Sequence, residues 1–360
     1  MKITGDSANE PLRLTAWCWS ELRAQAQPLA DAPPGWLAFA REQGVLGLLS
    51  ARRAALEPAA RERLAQLAMA HLAREQELKR VAALLEAENI ELIAFKGAAV
   101  SQWLYHPAYL RPRSDSDVLV RAELAPRLLR VLEKHGFERI LSANSGLVLA
   151  ECSVARLDAY GVRQVLDVHW CVNSHPRLRH LVGFAELRSR ATASPYGSAI
   201  WLPDPLDQLF LSVVHLYGHQ RGEPAKLIWW VDIDHMWRHF DQTQRAAFVE
   251  QALRKGLGAL SAAALAHVAQ QLDTPVAASD LQRLNANFSA EPSARLMTYR
   301  GRLIELIDDL ASLPGWAARL AWLKDLALPP RAYLEQRYGE KVPALPKLLL
   351  DRALGFWRQR

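Results

Sequence analysis

The stretch Leu92-Ile93-Ala94-Phe95-Lys96-Gly97-Ala98, continued at Asp115-Ser116-Asp117-Val118-Leu119-Val120, decides the fold. Ile90 to Phe95 reads as a buried strand, Lys96-Gly97 as a turn, and Ala98 to Trp103 as a short helix. Ser116 to Val120 is a second strand, and Ala122 to His135 carries a helical pattern. Alternation along a strand sends Asp115 and Asp117 to the same face. Two carboxylates held that close repel unless a cation lies between them, and hard divalent ions such as Mg²⁺ suit an all-oxygen site. A third acid, Asp167, sits in the β-type run Val165-Leu166-Asp167-Val168-His169-Trp170, where a neighbouring strand would complete a three-carboxylate cluster. His169 shares the face of Asp167 at i+2 and would orient it or serve the core.

The turn has its own chemistry. Gly97 opens a helix directly after a strand, where backbone N–H groups and the helix N-terminus favour a phosphate. Lys96 beside it is expected to neutralise a phosphate oxygen, and Arg111 and Arg113 lead into the acid pair with guanidinium forks suited to the same group. The competing reading pairs these arginines with the acids. Phosphoryl and nucleotidyl transfer need this combination: carboxylates that bridge two Mg²⁺ ions, or Mn²⁺ in their place, beside a cradle for polyphosphate.

Working outward, Pro11 to Asn89 shows helical spacing without a strand signal. Further β-like runs at Gly146 to Val154 and Gly161 to Trp170 give a sheet of four or five strands that ends near Trp201. Beyond Pro203-Asp204-Pro205 helices return at Leu206 to His219 and Ile228 to Phe240. Ala246 to Gln271 follows as a packed helix pair, and further helices run to Trp357. The expected organisation is a helical region over 1–89, an α/β core over 90–202 and a helical domain over 203–360.

Half of the 360 residues are hydrophobic, enough for a large core, and the net charge of +6 favours anionic ligands. No run approaches the roughly 20 apolar residues of a membrane span. Asp6 and Glu10 ahead of Leu12 lack the order of a secretory signal, so a cytoplasmic address is expected. Cys18, Cys152 and Cys171 have neither disulfide-framework nor zinc-knuckle spacing.

Together, Phe95-Lys96-Gly97, Tyr105 and Pro107, Leu110-Arg111-Pro112-Arg113, Asp115 to Val120 and Leu166 to Trp170 resemble the bacterial uncharacterised nucleotidyltransferases of the DNA polymerase β-like superfamily. The stretch Leu209 to Trp237, with His215, His219 and Trp230-Val231-Asp232-Ile233-Asp234, is similar to the helical region that follows in that group. The resemblance implies an α+β fold, a polymerase β-like core with a small mixed sheet between helical flanks. It also implies Asp115, Asp117 and Asp167 as catalytic metal ligands and Lys96-Gly97-Ala98 as the phosphate turn. The activity implied is Mg²⁺-dependent transfer of an NMP from ATP or another NTP to a hydroxyl on a sugar or other small molecule. A tRNA acceptor fits less well because no basic tract with interleaved aromatics is present. The superfamily turn is commonly Gly-Ser, and Ala98 removes that hydroxyl.

Three other functions compete, one of them an RNA-modifying toxin of the same superfamily, with which the basic charge is compatible. Ala98 suits a degenerate nucleotide-binding scaffold. A nucleotide-sugar glycosyltransferase would use Asp115-Ser116-Asp117 as its Asp-x-Asp motif, but needs several βα units ahead of the acids. His215 and His219, at i, i+4, could hold zinc with Asp232 or Asp234, against their reading as core or substrate-wall histidines. Trp229, Trp230 and Trp237 could stack a base, though an aromatic run on a helix is ordinarily core, and Leu348 to Arg360 reads as a docked terminal helix or a membrane-surface helix.

Overall fold

In a computed structural model the seven-stranded mixed sheet runs, edge to edge, β3 (Glu138–Leu141), β4 (Glu151–Leu157), β5 (Arg163–His169), β2 (Ser116–Leu119), β1 (Leu92–Phe95), β7 (Ile200–Leu202) and β6 (Thr192–Ala193), with helices on both faces. The structure describes residues 10–24, 32–51, 58–141, 150–219, 225–297, 302–313 and 315–327. The run Leu348 to Arg360 and positions 146–149 lie outside them.

Four helices come first, α1 (Glu10–Arg23), α2 (Trp36–Glu42), α3 (Leu46–Ala51) and the long α4 (Pro58–Ala87). Strand β1 (Leu92–Phe95), helix α5 (Gly97–Leu104) and strand β2 (Ser116–Leu119) form the unit expected from the opening stretch. Helix α6 (Ala125–Lys134) leads into a meander, β3 (Glu138–Leu141), β4 (Glu151–Leu157) and β5 (Arg163–His169). After α7 (Phe184–Arg190), β6 (Thr192–Ala193) and β7 (Ile200–Leu202) extend the other edge, so the sheet has seven strands where four or five were expected. The short β6 and β7 were missed because two or three residues cannot express a period-2 pattern.

Pro205 opens α8 (Pro205–His219), followed by α9 (Leu227–His239), α10 (Gln242–Arg254), α11 (Gly258–Leu272) and α12 (Ala278–Asn285). Two more described helices, α13 (Arg302–Ser312) and α14 (Gly315–Ala327), come last. The Ala-rich segment is indeed a helix pair, broken at Gly256, whose φ of 64° an L side chain adopts only with strain.

Alternation divides the sheet. Leu92, Ala94, Val118, Leu166 and Val168 face one way and pack with Leu78, Val81 and Leu85 of α4 and Leu128 and Leu132 of α6. Ile93, Phe95 and Leu119 face the other way, into the larger core built with α8, α9 and α11. Asp117 and His169 belong to this second face, because each lies an even number of residues from Leu119 or its register partner.

Candidate active site

Register assembles the acids. Phe95 of β1 pairs with Asp117 of β2, Asp117 pairs with Asp167 of parallel β5, and Asp167 pairs with Ser153 of β4. One step along, Leu119 pairs with His169 and His169 with Glu151. Residues paired across a sheet project from the same face, so Asp117, Asp167, His169 and Glu151 form one polar patch. Asp115 lies just outside the strand, which begins at Ser116, and takes a hydrogen bond of 2.8 Å from Ser114 Oγ.

Lys96 occupies the turn between β1 and α5 with φ 50° and ψ −132°, a region that a residue with a Cβ rarely enters. Its Nζ lies 2.5 Å from Asp117 Oδ1, and His169 Nε2 lies 3.0 Å from the same oxygen. On the far side of the imidazole, Nδ1 is 3.0 Å from Glu151 Oε2, within ion-pair reach but without hydrogen-bond alignment. Burial opposes ionisation of Asp117, yet the Lys96 ammonium and the His169 imidazole outweigh it and hold the carboxyl far below the usual range. Asp167 has the opposite balance. Burial, against a hydrogen bond from Ser153 and with the charges of Asp117 and Asp115 adding to it, pushes its carboxyl up to about 6. Its Oδ1 is buried without a hydrogen-bond partner.

The arginine expectations divide. Arg111 turns its fork onto Asp232 of α9, with Nη2 2.6 Å from Oδ2 and Nε 3.3 Å from Oδ1, and Tyr105 donates to Oδ1 at 2.7 Å. The fork expected to hold phosphate is thus paired with an acid 121 residues away, outside the expected cluster, while Arg111 still lines the cleft. The fork also explains Gly97, since a Cβ there would come within 2.5 Å of Arg111 Nη1. Arg113 stays free of any carboxylate at ion-pair distance among the described residues, while Ala98 is buried at the start of α5. Lys96 likewise directs its ammonium to an acid, Asp117, from the turn expected to hold phosphate.

His215 and His219 of α8 pack edge-on against Trp229 of α9, with ring centroids 4.5 and 5.0 Å away. They do not join Asp232 or Asp234 as zinc ligands: Arg111 holds Asp232, and Arg238 and Thr274 hold Asp234. Burial, then the charge of Lys96, pushes His215 well below its ordinary value, so it is a neutral wall residue.

These groups line one cleft of about 760 Å³, which includes Asp115, Asp117, Asp167, Glu151, Lys96 and Gly97. Among the described residues no three His, Cys, Asp or Glu side chains are gathered as a ready ligand set. The donor chemistry nonetheless suits a hard cation: Asp167 Oδ1 has no partner, and at Asp117 the Lys96 ammonium stands in for a positive ion. Sequence reasoning missed Glu151. Counting outward from the turn at Asp158–Gly161 would have set it opposite His169.

A mixed sheet with carboxylates on adjacent strands beside a strand–glycine–helix turn defines a nucleotidyltransferase-type core. The model of the uncharacterised nucleotidyltransferase family matches residues 33–273, and the chain belongs to that family. No curated protein matches the chain. No described helix is long and apolar enough to cross a membrane.

Proposed function

We propose that the chain transfers an NMP unit from an NTP to an acceptor hydroxyl, with Mg²⁺ held by Asp115, Asp117 and Asp167. The observation that carries this reading is the lateral register of Asp117 with Asp167 at the mouth of the Gly97 turn. When bound there, Mg²⁺ would neutralise charge on the leaving pyrophosphate and polarise the attacked phosphorus. The chain's own groups do the rest. Before a cation binds, Lys96 keeps Asp117 ionised; His169 fixes its orientation and is itself braced by Glu151. Asp167, whose Oδ1 makes no bond of its own, completes the set of carboxylates offered to the metal. The α/β core of 90–202 carries the nucleotide, and the helical parts on either side supply the acceptor wall, where Trp229, His215 and His219 offer an aromatic surface to a sugar or other small molecule. A cytoplasmic pool of NTP suits this chemistry.

Asp117→Asn tests the reading. A panel of NTPs with Mg²⁺ should raise the Tm of the wild-type chain for at least one nucleotide, and release of pyrophosphate should fall by about 10³-fold or more in the variant. Unchanged turnover in Asp117→Asn would remove the metal-binding argument. The Lys96–Asp117 contact, with Ala98 at the turn, favours a second reading, a nucleotide-binding scaffold without turnover. That reading is selected if NTPs stabilise the chain equally with and without Mg²⁺ and no pyrophosphate appears with any acceptor.

A further inference from the structure

One wall of the cleft comes from α4, outside the α/β core. Arg63, Gln66, Leu67, His71 and Arg74 line it from a single helical face about 16 Å long. Arg74, at the inner end of this face, lines the same cleft as Arg113, which is only 9% exposed. Arg113 Nη1 reaches Ser101 Oγ at 3.4 Å, while Nε and Nη2 are buried without a hydrogen-bond partner. Arg74 Nη1 donates to Ala70 O at 2.9 Å within its own helix, and its Nε is likewise buried and unpartnered. Burial and then the charge of Arg113 push the Arg74 guanidinium below its ordinary value, with Asp115 acting weakly the other way, so the two arginines share one electrostatic neighbourhood. Neither forms an ion pair with any described carboxylate.

Two desolvated like charges on one cleft wall, with unspent N–H donors, are unfavourable until an anion in the cleft offsets them. Guanidinium forks match the tetrahedral oxyanion of a phosphate better than a lone carboxylate. We propose that Arg74 and Arg113 form a subsite for a phosphate-type oxyanion, half of which is supplied by helix α4. The subsite takes over the work expected of Lys96 and Arg111, which are committed to Asp117 and Asp232, and of the hydroxyl that Ala98 lacks. The oxyanion belongs either to the polyphosphate tail of an NTP or to a phosphorylated acceptor; naming its source rests on the nucleotidyl-transfer reading, whereas the oxyanion itself does not.

Calorimetric titration of the full chain, without divalent cations, tests the subsite with inorganic pyrophosphate as the probe. The wild type should bind it, and Arg74→Gln should bind at least about tenfold more weakly, the loss of one charge-assisted contact. Arg74→Lys, which keeps the charge and loses the fork, should fall between them and remains informative if Arg74→Gln fails to fold. ATP that competes with pyrophosphate assigns the oxyanion to the nucleotide; competition by glucose 1-phosphate, with ATP binding unaffected, assigns it to the acceptor. No binding of pyrophosphate by the wild type, or equal affinity in folded Arg74 variants, overturns the subsite. Arg74-dependent pyrophosphate binding in a chain that binds no NTP would instead sink the nucleotidyl-transfer reading and leave the subsite standing.

Discussion

The Lys96 ammonium lies 2.5 Å from Asp117 Oδ1, on an oxygen that also faces His169 Nε2 at 3.0 Å. A lysine therefore supplies the positive charge at the carboxylate most deeply set in the acid patch. Any divalent ion that reaches that oxygen has to displace it, so cation binding and the Lys96 contact are alternatives.

Lys96→Met should leave Asp117 as a buried carboxylate with one partner fewer. Breaking a buried pair from one side costs about 3 kcal/mol or more. Urea denaturation should show that loss, and Mg²⁺ should restore more stability to the variant than it adds to the wild type. Equal midpoints for the two chains would mean that the contact does no energetic work.

The backbone at Lys96 makes a separate prediction. With φ at 50° and ψ at −132°, a Cβ is strained there and glycine is not. Lys96→Gly should therefore be more stable than Lys96→Ala by about 1 kcal/mol, although both lose the ammonium. The reverse order in chemical denaturation would contradict the strained turn.

Asp167 sets a pH dependence. Its carboxyl is raised from 3.8 to about 6 in the folded chain, so the folded state holds the extra proton between those values. On this account stability rises as pH falls from above 6 toward 4, and the ionised form is the costly one. Asp167→Asn should stabilise the chain by about 1–2 kcal/mol at pH 8 and by almost nothing near pH 4, while abolishing transfer activity. A variant no more stable than wild type at pH 8 would show that the carboxylate is not strained by its neighbours.

Gly97→Ala brings a Cβ to within 2.5 Å of Arg111 Nη1, on a side chain that cannot withdraw because Asp232 holds it. Overpacking of this kind costs about 1–3 kcal/mol. A thermal scan should register the loss even without any ligand, which a purely phosphate-binding role for the glycine would not produce.

Arg111→Met should cost about 3–5 kcal/mol, since it strands Asp232 in the core with Tyr105. Adding Asp232→Leu should recover a large part of that loss. Additive losses in the double variant would argue against a paired interaction between the two.

How far the site was legible depended on the range of each interaction. The turn at Gly97, the strand of Asp117 and the strand of Asp167 follow from local period and turn chemistry, and strand alternation then dictates which side chains share a face. Glu151 was within reach of the same reasoning, because a hairpin about Asp158–Gly161 fixes its register against His169. The partners of Arg111 and Lys96 were not. Arginine two residues ahead of an acid pair looks like a phosphate ligand or a partner of those acids, and nothing near it in the chain points to Asp232, 121 residues on.

By itself the sequence determined that an α/β unit carries acids on adjacent strands beside a strand–glycine–helix turn, because period, glycine and charge act over a few residues. The tertiary structure alone decided which charges neutralise one another: Lys96 with Asp117, Arg111 with Asp232, and Arg74 with Arg113 left facing the cleft. Coulomb interactions depend on distance in space, and in a buried site the nearest opposite charge is set by how helices and sheet pack.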